Sequence, residues 1–333
     1  MNQDRLMGDV LALTADGGRN VGSFGHKRSR DFIVTRLAEL GASQYSGDSF
    51  LQPYGPEASR FANIIATIPG ADPEKAPILL GAHYDTCGDI PGADDNGAAV
   101  AILLGVAETL SRQVRERSVV LAFFDAEEPP YFLSSSMGSI RFYEDQRTGP
   151  IHAAIILDLV GHDVPVDGLE DLLFITGAES DPGLEMAVRD SEPESRLRTV
   201  PILNSYVDDL SDHHIFRKNE RPYLLLTCGR WEHYHMPTDT PEKLNMSKMD
   251  AVANYVVTLT EFLSPSSLNG SSHRDGPSSG DGPSLGDETL DTEIYFLEKN
   301  IMPTLRNLGI SLPLNSRTDI DRLVTMLMSQ FNL

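Results

Sequence analysis

The sequence predicts an α/β fold, a three-layer αβα sandwich around a central mixed, mostly parallel sheet, with a helical appendage at its C-terminal end. Three observations carry this expectation. Runs such as PILLGAHYDT (77–86), SVVLAFFDA (118–126) and AAIILDLVG (153–161) are apolar on both faces, as strands covered by helices on each side must be. Segments with apolar residues at helical spacing alternate with these runs. After Leu263 the composition turns to Ser, Gly, Pro and Asp, and only then does helical spacing return.

Taken in order, a first helix is expected over 24–41, where Phe32, Ile33, Leu37 and Leu40 recur at helical spacing and Gly41 can stop it. Strands follow at 62–69 and 77–86. Asn96-Gly97 then introduces a helix over 98–111. Further strands are expected at 118–126, 153–161, 172–178 and 222–229, with helical patterns near 139–146, 183–191, 210–218 and 247–263. The chain thus divides into a catalytic-size domain, 1–263, a disordered linker, 264–288, and a helical segment, 289–333. In that last segment Ile294, Leu297, Ile301, Leu305 and Leu308 mark one stripe, interrupted by Pro303. Ile320, Leu323, Val324, Leu327, Met328 and Phe331 mark another. A segment of roughly 45 residues is too short for a core of its own. The pair of helices either docks back on the main domain or serves oligomerisation.

Charge and composition narrow the function. A net charge of −22 leaves no basic face for nucleic acid. The longest apolar stretch, 98–107, falls far short of the ~20 residues that span a bilayer, so no membrane partner is expected. The first residues, MNQDRLMGDV, have no apolar segment of secretory type, and a cytoplasmic location is the expectation. Cys87 and Cys228 are too few for a disulfide framework and read as small buried residues. Cys87 lies close to the loops discussed next, where a metal or redox effect is open to it.

The chemistry-bearing residues cluster at strand exits, where ligands of open α/β sheets bind. His83, Tyr84 and Asp85 close one strand, and GADDNG (92–97) follows in a short loop. Glu127 and Glu128 end the next, Asp158 the one after, and His235 falls in WEHYHMPTDTP (231–241). Each feature alone has an ordinary reading. H-x-D can be a strand-end histidine satisfied by a carboxylate, ADDNG a turn before a helix, and two adjacent glutamates a solvated pair. Together they gather carboxylates that would repel one another without positive charge, and Lys and Arg are scarce in these segments. A pair of metal ions supplies that charge. Imidazole with carboxylate suits zinc, and also cobalt or manganese. One of the adjacent glutamates can then face a metal while the other serves as general base.

With these motifs in order (NIIATIPG, GAHYDT, PGADDNGAAVAILL, FFDAEEPPYF, LDLVG, SDHHIF and HYHMPTDTPEKL), the chain resembles the co-catalytic zinc exopeptidases typified by bacterial leucyl aminopeptidase and aminopeptidase Y, metallopeptidase family twenty-eight. The match spans roughly residues 20 to 263 and leaves the tail uncovered. The resemblance implies the zinc-exopeptidase, phosphorylase-like sandwich, two Zn²⁺ ions (Co²⁺ or Mn²⁺ in their place) and a peptide substrate. It implies Asp95 as bridging ligand, His83 and Asp158 on one metal, and Glu128 and His235 on the other. It makes Glu127 the general base and Asp85 the carboxylate that orients His83. Ser211, Asp212 and His213 match a supporting motif. Removal of the N-terminal residue of a peptide is the implied reaction. A carboxypeptidase or amidase on the same fold, a glutaminyl cyclase and a non-enzymatic relative are the alternatives. Tyr206 departs in spacing from the family's oxyanion-holding tyrosine. Tyr131 and Phe132 are expected either to wall the substrate pocket or to pack, Trp231 to line the mouth or pack, and His152, His162, His214 and His233 to be satisfied surface or loop histidines.

Overall fold

The computed structural model describes residues 2–55, 60–193, 196–268 and 289–331. Its centre is a nine-stranded mixed sheet. The strands are β1 (Ser43–Gln44), β2 (Leu51–Pro53), β3 (Ala62–Ile68), β4 (Ile78–His83), β5 (Val119–Phe124), β6 (Ala153–Leu157), β7 (Leu172–Thr176), β8 (Arg198–Pro201) and β9 (Tyr223–Thr227). Their order is β1-β3-β5-β4-β6-β9-β7-β8, with β2 also on β3. The central strands β5, β4, β6 and β9 run parallel, while β3 and β7 join antiparallel on either side. All four central strands are buried along their whole length, which is why they read as continuous apolar runs.

Side chains alternate between two cores, one on each face. Leu80, Leu121 and Ile155 point to one, and Leu79, Val120 and Ala154 to the other. The first and larger core takes α1 (Gln3–Thr14), α2 (Phe24–Glu39), α3 (Ala99–Leu110), α5 (Pro182–Asp190) and α7 (Met246–Leu263). The second takes α4 (Gly138–Arg141) and α6 (His214–Lys218). Three layers result, as predicted. Helix α1 and strands β1, β2 and β8 were not anticipated. In α1, Leu6, Val10 and Leu13 have helical spacing and are buried, and the Asn2 side chain caps the helix by accepting from Asp4 N and Arg5 N.

The tail forms α8 (Leu290–Asn300), α9 (Met302–Asn307) and α10 (Arg317–Phe331). Of the two alternatives for it, docking is what the structure shows. Leu297, Ile301, Met302, Leu305, Ile320, Leu323 and Leu327 are buried in the same core as the sheet. Met328 and Phe331, expected on that stripe, have side chains outside the described residues. Helix α8 lies along the edge strand β8, where Asn300 Nδ2 donates to Thr199 O at 2.8 Å and Arg198 Nη1 donates to Asn300 O at 2.8 Å. The buried Glu293 carboxylate takes both Arg317 nitrogens at 2.6 and 2.7 Å, tying α8 to the start of α10.

Of the stretch 264–288 expected as a linker, residues 264–268 are packed on the domain. Ser264 Oγ accepts from Arg117 N, Ser266 O accepts from Arg117 Nη2, and Leu268 is buried. Residues 269–288 lie outside the described residues. Among the described residues no helix is long and apolar enough to cross a membrane.

Candidate metal centre and its pocket

The predicted site residues converge. His83 ends β4, Glu127 and Glu128 follow β5, Asp158 follows β6, and His235 comes from the loop after β9. Asp95 lies in a wide turn, Ala93–Ala98, that leads into α3. The carboxylate of Asp95 sits between the two histidines. Its Oδ1 is 3.3 Å from His83 Nε2, and its Oδ2 is 3.2 Å from His235 Nε2. Asp158 Oδ1 approaches His83 Nε2 to 3.6 Å, and Glu128 Oε2 approaches His235 Nε2 to 3.1 Å. Two ligand groups therefore share one carboxylate, the arrangement a bridged pair of ions requires. Glu127 Oε2 stands 3.8 Å from His83 Nε2, inside the same cluster but outside this symmetric pattern.

Asp85 does more than face His83. Its carboxylate is 3.4 Å from His83 Nδ1, and its two oxygens accept from Glu127 N and Glu128 N, each at 3.1 Å. One acid thus sets both the imidazole and the backbone of the glutamate pair, which explains how two adjacent glutamates are held at different angles. Ala126, Leu159 and His235 all have positive φ (57°, 53° and 57°) without being glycine. Such left-handed residues cost on the order of 1 kcal/mol or more and gather at functional sites. Here they bend the chain on either side of Glu127 and Asp158, and at His235 itself.

Several buried atoms of these candidate ligands have no hydrogen-bond partner among the described residues: His83 Nε2, Asp95 Oδ2, Glu128 Oε1 and Asp158 Oδ1. Buried polar atoms of folded proteins are normally paired, so these fit donors waiting for cations. Protonation tells the same story. Burial, with the Glu128 and Asp158 charges beside it, outweighs the opposing pull of His83 and leaves the Glu127 carboxyl well above the usual range. Burial and Asp95 push Glu128 up to about 8. Burial opposes charge on His235, but Asp95 and Glu128 overcome it and raise the imidazole to about 10. Without metal, protons gather on the cluster to offset its negative charge. Cys87 also offers its sulfur beside Glu128 and His235, while burial and then Glu128, Asp95 and Asp85 push the thiol up to about 11.

The supporting frame was invisible in the sequence. Arg19 is completely buried and its guanidinium donates to Tyr84 O, Pro91 O and Gly92 O at 2.9, 2.6 and 2.8 Å. It clamps the loop carrying His83 and Asp85 to the loop carrying Asp95. Gly92 sits in the left-handed region (φ 57°), and a Cβ there would lie 2.4 Å from Asp95 O. Asp239 accepts from Asp94 N and Asp95 N, and Asp94 accepts from Gly161 N at 2.7 Å and from His162 Nδ1 at 2.6 Å. Of the surface and loop alternatives, His162 and His152 take the loop one, and both are fully buried. Trp231 stacks on His162 at 4.4 Å. Ser211 lines the pocket, and Asp212 is buried behind it, pushed up to about 7 by burial. His213 packs away, its Nε2 on Asp208 O.

A cavity of about 380 Å³ opens from this cluster. Phe132 lines it, whereas Tyr131 packs edge-on against Phe61 with a ring separation of 5.2 Å. Tyr206 also lines the cavity, but its hydroxyl is bound to Asp321 Oδ1 of α10.

A model of peptidase family M28 matches residues 63–260. The uncharacterized protein YfbL of Escherichia coli (strain K12) is 29% identical over 262 residues, covering 70% of this chain and 79% of that relative. Among solved structures, a Porphyromonas gingivalis glutaminyl cyclase superposes with a TM-score of 0.62 at 22% identity, covering 78% of this chain and 97% of the other. A Zn-dependent exopeptidase from Parabacteroides distasonis ATCC 8503 superposes with a TM-score of 0.61 at 20% identity, covering 78% and 98%. At such identities the two structures speak for the fold alone.

Proposed function

The chain belongs to peptidase family M28, and on that premise we propose that it is a zinc exopeptidase that hydrolyses the N-terminal residue of peptides at a two-metal site. The observation that carries this reading is the Asp95 carboxylate, one oxygen facing His83 and the other facing His235. His83, Asp158 and one Asp95 oxygen would hold one ion, and His235, Glu128 and the other Asp95 oxygen the second. Bound there, the ions would polarise the scissile carbonyl and lower the pKa of water from 15.7 toward roughly 7.

Glu127 takes the proton from the attacking water and returns it to the leaving amine. Its backbone is fixed through Asp85, so the carboxylate stays beside the ligands without being needed as one. The pocket favours the amino end of a peptide. Asp95, Glu127, Glu128 and Asp158 line it, and among the described residues Arg230 is the one Lys or Arg that does. A carboxypeptidase needs a cation for the terminal carboxylate, and Arg230 instead lies over the Tyr234 ring, 4.8 Å from its centre.

The test measures bound metal and products together. The protein is expected to bind two ions, to release free amino acid from unblocked peptides, and to leave N-acetylated peptides intact. Asp95→Asn is expected to lose at least one ion. A fully loaded Asp95→Asn protein would remove the bridge. Pyroglutamate formation from N-terminal glutamine without hydrolysis would replace peptidase by cyclase.

A further inference from the structure

We propose that the C-terminal helices α8 and α10 are the specificity wall of the substrate pocket, and that the side chain they select is a bulky apolar one at the peptide's N-terminus. The inference rests on the exopeptidase reading for the identity of the substrate, and on independent observations for the wall.

The cavity runs from the anionic cluster at the strand exits to the tail. Leu297 of α8, Ile301 at its C-terminal end, and Val324 and Leu327 of α10 line it. Phe174 and Val200 of the sheet line it as well. Every described residue the tail contributes is aliphatic. A charged or strongly polar side chain pressed against this wall would lose its hydration and find no partner there, which costs several kcal/mol. At about 380 Å³ the cavity falls within the ~300–1,000 Å³ of small-ligand pockets, ample for a leucine- or phenylalanine-sized group.

The wall is held in place. Leu297, Ile301, Leu323 and Leu327 belong to the same core as the sheet. Asn300 donates to Thr199 O and accepts from Arg198 Nη1 across the α8–β8 contact, and the Glu293–Arg317 ion pair joins α8 to α10. The Tyr206 hydroxyl donates to Asp321 Oδ1, so a residue of the pocket wall is itself fastened to α10. All of these tail residues lie beyond residue 260, where the family match ends. The chemistry and its selectivity thus come from different parts of the chain. Because Val324 and Leu327 sit one turn-spacing apart on α10, a change at either alters pocket shape without touching a candidate ligand.

The experiment compares full-length, metal-loaded wild type with Val324→Phe, which fills the cavity, and Leu327→Ala, which enlarges it. Relative kcat/KM is read on peptides differing only in the N-terminal residue: alanine, leucine, phenylalanine or glutamate. Calorimetric binding of the four free amino acids is read in parallel. Wild type is expected to prefer leucine and phenylalanine over alanine and glutamate by roughly 10-fold or more, the discrimination a filled apolar pocket gives. Val324→Phe is expected to lower the leucine-to-alanine ratio by roughly 10-fold, and Leu327→Ala to shift preference toward phenylalanine. An unchanged profile in both folded variants, or a wild-type preference for glutamate, would overturn the wall. The two readings fail separately. Hydrolysis with unaltered selectivity sinks the wall and leaves the peptidase standing. No hydrolysis by any protein, with amino-acid binding that still follows the variants, leaves the wall and removes the peptidase.

Discussion

Two faces of one pocket are built by opposite physics. The strand-exit face holds Asp95, Glu127, Glu128, Asp158 and His235, set by hydrogen bonds, left-handed backbone and a buried arginine. The opposite face is aliphatic and is fixed by packing of α8 and α10 on the sheet. The first face cannot tolerate small displacements, because ligand geometry and proton transfer are directional. The second can change its residues and keep its fold, because apolar packing is tolerant of volume-conserving substitution. Such a division lets a fixed reaction acquire a new substrate preference by change in a tail.

The sharpest way to break the comparison is at the polar face. Glu127→Gln removes the proposed base and leaves both proposed ligand groups intact. Turnover is expected to fall by about 10²–10⁴-fold with metal content unchanged. Steady-state kinetics with elemental analysis of the same sample checks this, and near-normal hydrolysis would show that Glu127 is not the base. No change of that size is expected from any single substitution on the tail face.

What could be read from the sequence follows the same division. Strand-exit residues were legible because chemistry demands particular residue types at particular places. His83, Asp85, Asp95, Glu127, Glu128, Asp158 and His235 all meet at one edge. The buried strands were legible because burial on both faces leaves an unbroken apolar run. Arg19 was not legible. Its partners lie 65 to 73 residues away, and a lone arginine after two glycines carries no periodic signal. The tail's apolar stripes were visible, but a stripe says only that something covers it. That it covers β8 and closes the pocket depends on the path of the whole chain. Helix α1 had both a cap and spacing, and the charges around its three buried apolar residues hid them.

Arg19→Met tests how far the polar face depends on its frame. Methionine keeps apolar volume but leaves three backbone oxygens without their donor. Hydrogen bonds from a charged group contribute about 1.5–3 kcal/mol each, not additively. Loss of about 3 kcal/mol in urea denaturation, with weaker metal retention, is the expected outcome. Stability and metal content like wild type would mean the loops of His83 and Asp95 hold themselves.

Glu293→Ala is the matching test on the tail face. Glu293 is buried, but the Arg317 side chain is 21% exposed, so the freed cation can reach water. A loss of about 1–3 kcal/mol is expected, with faster proteolysis after the junction and metal content unaltered. Loss of metal in this variant would mean the two faces are coupled more tightly than their separate construction implies.

The smallest expected effect lies at the seam between the two regions. His152 is completely buried and bonds Ser266 Oγ at 3.2 Å, in the segment leading to the tail. Burial, and then the nearby Arg117, lowers its imidazole to about 4. The folded protein therefore binds this proton less tightly than the unfolded chain, whose histidine titrates near 6.5. The stability this neutral histidine contributes is present above about pH 6.5 and is lost as the pH falls toward 4. Between pH 6.5 and 5.5 the loss amounts to about 1 kcal/mol. His152→Gln keeps a hydrogen-bonding side chain there and removes the titration. Urea denaturation at those two values is expected to show a shallower pH dependence for the variant by about that amount. Equal dependence would assign the seam's acid sensitivity to other groups and leave the tail's attachment indifferent to this histidine.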